Sequence, residues 1–112
     1  MAAEKKFVKK WIGVLAPSKL DLSSTIAKME PYKRFVPEYV AAAALNISLV
    51  VEEQYEILRK IMDGEGSLGE TVESKTGILK SLVSDAELNV NRLKVQVEHA
   101  RQFEQAGQFT CA

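Results

Sequence analysis

The chain has 112 residues, 27% of them charged and 46% apolar. That balance fits one globular domain and excludes a disordered or collagen-like chain, and the length leaves no room for a separate catalytic lobe. Formal net charge is zero, which argues against a dedicated nucleic-acid binder.

The zero hides a segregation. Residues 1–34 hold eight Lys/Arg against three Asp/Glu, residues 35–73 hold two against eight, and the remainder holds five against four. The basic head and acidic middle complement each other within a bundle or between subunits. Alternatively, the head presents clustered lysines to a phosphate-rich partner.

Residues 3–15 predict a short amphipathic helix. Phe7, Val8, Trp11, Ile12 and Leu15 share one side and Lys5, Lys6, Lys9 and Lys10 the other, and Pro17 closes it. Its aromatic face docks on the domain's own core or on a partner, and a basic helix carrying Trp also suits an anionic membrane. Trp11-Ile12-Gly13 is similar to the Trp-x-Gly turn of the small secreted helical hairpins of the ESX type. Here it stands near the chain start, not between two long helices. Residues 18–29 predict a second short helix, capped by Ser18, with Leu22, Ile26 and Met29 inward. Pro31 and Pro37 bracket a linker, because the residue before each proline is pushed away from helical angles.

A third helix runs from Pro37 to about Asp63, where Gly64 and Gly66 stop it. Its seam is Val40, Ala44, Ile47, Val51, Leu58 and Ile61, broken by Gln54 as a register-setting polar residue. From Val40 to Val51 the helix is apolar on nearly every side, which predicts a segment enclosed all round. Beyond it Glu52, Glu53, Glu56, Arg59 and Lys60 mark an exposed face.

Ser67-Leu68-Gly69-Glu70 predicts a capping box opening a fourth helix that runs to about Ala106. At about 1.5 Å per residue this helix is about 58 Å long and the third about 40 Å, so the fourth overhangs around residues 95–106. Leu79, Val83, Ala86, Val90, Leu93, Val97 and Ala100 alternate spacings of four and three, flanked by Lys80, Glu87, Lys94 and Arg101, as in a coiled coil. Leu88 and Val95 form a second apolar strip on the opposite side. A helix with two strips sits between two neighbours, which favours a bundle or an oligomer. The fold expected is all-α: two short N-terminal helices, then a long antiparallel helical hairpin with a coiled-coil-like seam. It forms one domain with a basic head over 1–36, the hairpin over 37–106 and a flexible tail over 107–112.

Reactive chemistry is sparse. His99, the only histidine, falls at an outward heptad position, and Cys111, the only cysteine, can form neither an internal disulfide nor a zinc site, which fits reducing cytosol. Lys9 and Lys10 interrupt any N-terminal signal peptide, and no stretch reaches the roughly 18–20 apolar residues of a membrane span. Glu52-Glu53-Gln54-Tyr55-Glu56 is similar to the Glu-Glu-x-x-Glu motif of the all-alpha NTP pyrophosphohydrolases. That resemblance implies carboxylates holding magnesium to activate water at a phosphate. The Glu-x-x-Asp that the family carries on its next helix is missing, since Leu82 stands three residues before Asp85.

The expectation is therefore a cytoplasmic, non-enzymatic interaction or oligomerisation module, a scaffold, adaptor or structural assembly protein acting through the apolar helical seam, with no cofactor, metal or small-molecule substrate. Its partner is a second copy or another helical protein. Candidate partner-binding residues are Phe7, Trp11, Leu88, Val95 and Phe103. The alternative use, of nucleic acid or anionic membrane, falls to Lys5, Lys6, Lys9, Lys10, Lys33 and Arg34, and the magnesium pyrophosphohydrolase is a second alternative.

Overall fold

A computed structural model describes residues 2–110, with side chains described over 4–107. Three α-helices, α1 (Ala2–Met29), α2 (Glu38–Met62) and α3 (Val72–Thr110), and a 3₁₀ helix, Glu30–Phe35, make up an all-α bundle. It measures 66 × 22 × 17 Å. α3 takes in residues 107–110 of the segment expected as a tail, while Cys111 and Ala112 lie outside the described residues.

The two short N-terminal helices are in fact one, with Pro17 inside it. Its buried positions explain why. Val8, Leu15, Leu22 and Met29 recur every seventh residue, all at most 1% exposed, with Trp11 and Thr25 buried between them. This seam passes Pro17 without a shift of phase, so breaking the helix there would move half of it off the core. Proline withholds one amide and crowds the carbonyl four residues earlier. That carbonyl belongs to Gly13, and Gly13 and Pro17 are both exposed, so the freed acceptor is open to water.

Helix α2 ends in a Schellman motif. Glu65 N–H donates to the Lys60 carbonyl at 2.8 Å and Gly64 N–H to that of Ile61 at 3.0 Å. Gly64 sits at φ 83°, a left-handed conformation that a Cβ would strain. The start of α3 differs from the expected capping box. Gly69 is also left-handed, at φ 72°, so no helix can begin at Ser67. Thr71 is the cap: its Oγ1 accepts the Ser74 N–H at 3.0 Å, and the Ser74 hydroxyl donates to Glu70 Oε1 at 2.8 Å. The connection thus frees Leu68 to bury itself over one end of the core.

Two clusters form that core. In one, Val8, Trp11, Leu15 and Leu22 meet Val51, Leu58 and Ile61 and then Leu79, Leu82, Ala86 and Val90. In the other, Met29 and Val36 meet Val40, Ala41 and Ala44 and then Leu93 and Ala100. The C-terminal half of α2 therefore packs against the first halves of α1 and α3, and its N-terminal half against their later turns. Both long seams read from the sequence point inward. The overhang of α3 is covered within the chain on one side: Tyr32 and Phe35 of the 3₁₀ helix pack on this second cluster beside Val97, and the Phe35 and Phe103 rings lie 5.2 Å apart, while Val95 and Phe103 stay exposed.

Candidate partner-binding surface

Each helix of a three-helix bundle keeps one face that no neighbour covers. On α2 that face is apolar over its first half. No charged residue occurs from Tyr39 to Val51, the longest such run in the chain. Tyr39 is 78% exposed and Leu49 66%, with Leu45 and Val50 also open. This corrects the expectation that residues 40–51 are enclosed all round: only Val40, Ala41, Ala44 and Val51 of that stretch are fully buried, with Ile47 and Ser48 partly covered. A run apolar on every side predicts burial on every side only where helices surround it. In a bundle of three helices the outward quarter has nothing to bury it.

On α3, Leu88 and Val95 stand exposed on the side away from the core. Between them and α2 runs a groove of about 560 Å³ lined by Tyr39, Val40, Ala43, Leu88, Arg92 and Val95, among others. The sequence-derived strip thus meets the first turns of α2 at Tyr39, Val40 and Ala43, with Asn89, Asn91, Arg92 and Gln96 as the polar edge, while Leu45, Leu49 and Val50 are exposed farther along α2. Contiguous exposed apolar surface of this kind marks interaction sites on soluble folds.

The other expected partner-binding residues lie elsewhere. Trp11 is 5% exposed and belongs to the core; Phe7 packs half-buried beside it, the rings 6.3 Å apart. Trp11 is thus taken up by the core, as a domain this small requires of its largest aromatic, and Phe7 keeps part of its surface open. Phe103 is 65% exposed, but it lies against Phe35 and is separate from the groove.

Lys5, Lys6, Lys9, Lys10, Lys33 and Arg34 are all exposed, but they do not form one surface. From Lys10 to Met29 α1 rises about 28 Å, and Lys33 and Arg34 lie beyond that. Two of them lean on rings: Lys10 Nζ is 5.5 Å from the Trp11 centroid and the Arg34 guanidinium 4.6 Å from that of Phe35, as Lys19 Nζ is 4.5 Å from that of Tyr55. Among the described residues the ion pairs are Lys75–Glu70 at 3.9 Å and Arg101–Glu98, so no pair links the basic head to the acidic middle. Arg101 donates to both Glu98 oxygens, from Nε at 3.1 Å and from Nη2 at 2.6 Å. These bonds, first among the causes, hold the Glu98 carboxyl below its ordinary range. Their contribution is therefore present at neutral pH and fades as pH falls through the lowered value.

Glu52, Glu53 and Glu56 are exposed on α2. Among the described residues no group of three or more His, Cys, Asp or Glu is placed to hold a metal, and no helix is long and apolar enough to cross a membrane. His99 is exposed, at the outward position its heptad gives it. No family model, curated protein or solved structure matches the chain. Function rests on the surface itself.

Inside the bundle one polar group stands out. Gln54 lies on the α2 seam, and its Oε1 is buried with no hydrogen-bond partner among the described residues. An unsatisfied buried acceptor costs about 1–3 kcal/mol. Gln54→Leu, of similar shape, is expected to raise stability by about 1 kcal/mol or more in urea unfolding. A loss of stability in that variant would show that the amide is paired in solution.

Proposed function

We propose that the chain is a non-enzymatic protein–protein interaction module that folds with its heptad seams and binds with the outer α2–α3 surface. One observation carries the reading: Tyr39, Leu88 and Val95 remain open around one groove at the start of the longest charge-free run of the sequence. Leaving such residues in water gives up about 25 cal/mol for every Å² that a partner would cover, and nothing in the bundle needs them there. The seams expected to mediate association are taken up by packing within the chain. A module of this kind acts as a scaffold, adaptor or assembly protein, and its lone cysteine suits the reducing cytosol.

A photoreactive amino acid at position 95 tests this reading in cells producing the chain. Discrete adducts are expected, and they are expected to disappear when Leu88→Lys is added. An adduct of twice the chain mass identifies a second copy, and one of another mass a foreign protein. If position 95 yields no discrete adduct, the surface is bare in the cell and the reading fails.

A further inference from the structure

We infer that the connection between α2 and α3, residues 63–71, is a strap that opens while the three helices stay packed. Lys75, buried at the same end of the bundle, sets how readily it opens through its ion pair with Glu70.

The seam of α3 carries the inference. Leu79, Leu82, Ala86 and Val90 are buried at core spacing, and four residues before Leu79 stands Lys75, 3% exposed. It is the one charged residue buried among those described, where the seam calls for an apolar side chain. A buried ammonium is compensated only by close, hydrogen-bonded partners. Lys75 Nζ has a single carboxylate, Glu70 Oε2 at 3.9 Å, too far for a hydrogen bond. The Ser74 hydroxyl positions that carboxylate by donating to Oε1 at 2.8 Å. Because Glu70 belongs to the connection, lifting the connection parts the pair and opens Lys75 to water.

Little else holds the connection down. Of residues 63–74 only Leu68 is buried, where it joins Ile61 and Leu79 in the first core cluster. No hydrogen bond ties Gly66, Ser67, Leu68 or Gly69 to another described residue. Gly66 and Gly69, both left-handed, flank Leu68 as hinges. A cavity of about 180 Å³, lined by Glu4, Lys5, Ile61, Gly64 and Gly66, lies between the first arm of the connection and the start of α1. A segment with one buried side chain and no backbone hydrogen bonds opens at far lower cost than the whole fold. Opening uncovers the end of the core cluster at Ile61 and Leu79 without parting the helices.

The two members of the pair differ in what their removal does. Without the carboxylate, the ammonium is buried with no partner and drives the strap open. Without the ammonium, Glu70 is an exposed carboxylate that water satisfies.

Chymotrypsin cleavage after Leu68 in the full chain, mapped by mass under native conditions, tests this, because that bond reaches a protease only when Leu68 leaves the core. Glu70→Gln is expected to speed the cleavage at least about tenfold. Lys75→Met, of similar length, is expected not to speed it. Adding Glu70→Gln to Lys75→Met is expected to change the rate less than about twofold, a comparison that also cancels any preference of the protease for residue 70. In the parent, dilute urea is expected to leave the rate nearly unchanged once scaled to a free peptide of residues 63–74, since local opening exposes little surface. A Glu70→Gln chain cleaved at the parent's rate, an equal acceleration in the Lys75→Met background, or faster cleavage of Lys75→Met itself overturns the role of Lys75. A parent rate that climbs with urea as steeply as global unfolding overturns the strap.

Discussion

Leu93→Asp is expected to abolish cooperative unfolding. Leu93 is completely buried in the cluster formed with Met29, Val40, Ala44 and Ala100. Its replacement forfeits about 1.5–3 kcal/mol of burial and places a carboxylate among apolar side chains. Desolvating the carboxylate, or protonating it to avoid that, adds several kcal/mol more. A domain of this size holds about 5–15 kcal/mol in all. Leu88→Asp, five residues earlier on the same helix, replaces an exposed side chain and is expected to change stability by no more than about 0.5 kcal/mol. Circular dichroism melts of the two variants measure the contrast. A cooperative, unshifted transition in Leu93→Asp would show that the seam faces another way.

Pro17→Ala is expected to stabilise the protein. Proline inside a helix is about 3 kcal/mol less favourable than alanine, because an amide is missing and the ring presses on the Gly13 carbonyl. Two effects reduce the gain. The freed carbonyl is open to water at an exposed position, and alanine loosens the unfolded chain, which offsets about 0.4–1 kcal/mol. A net rise of about 1–2 kcal/mol remains, or roughly 4–8 °C per kcal/mol in melting temperature for a domain near this size. Two helices meeting at Pro17 would give the opposite result, since there the proline's fixed φ would suit the junction and alanine would bring no hydrogen bond. A neutral or destabilising substitution therefore contradicts a continuous α1.

The long seams were legible because a heptad repeat has one physical solution: Val40 to Ile61 and Leu79 to Ala100 had to face inward. The same logic was available for α1 and was masked by Pro17. Val8, Leu15, Leu22 and Met29 keep their sevenfold spacing across it, and that register outweighs one lost hydrogen bond when four large side chains depend on it. The start of α3 was misread for a local reason. Ser67 to Glu70 has the residue types of a capping box, but Gly69 takes a left-handed turn that no composition rule reveals, and Thr71 is free to cap instead.

On the candidate surface, Leu88 and Val95 were legible as a second strip, because they stand opposite the seam. Tyr39 was not, nor was the exposure of Leu49 and Val50 farther along α2. A run that is apolar all round looks alike whether a helix is enclosed or has one face awaiting a partner, and only the number of neighbouring helices distinguishes the two. Trp11 shows the converse: its amphipathic helix suits a membrane or a groove equally well in sequence, and the need to fill a small core decides the matter.

The most direct test of an interaction face separate from the folding core is the melt of a chain carrying both Leu88→Lys and Val95→Lys, compared with the parent at low and high concentration. At low concentration the two chains are expected to melt together, within about 0.5 kcal/mol per substitution, and any concentration dependence in the parent is expected to shrink or vanish in the variant. A loss of several kcal/mol at low concentration would contradict this, for Leu88 and Val95 would then belong to the core and the outer surface would not be free to bind.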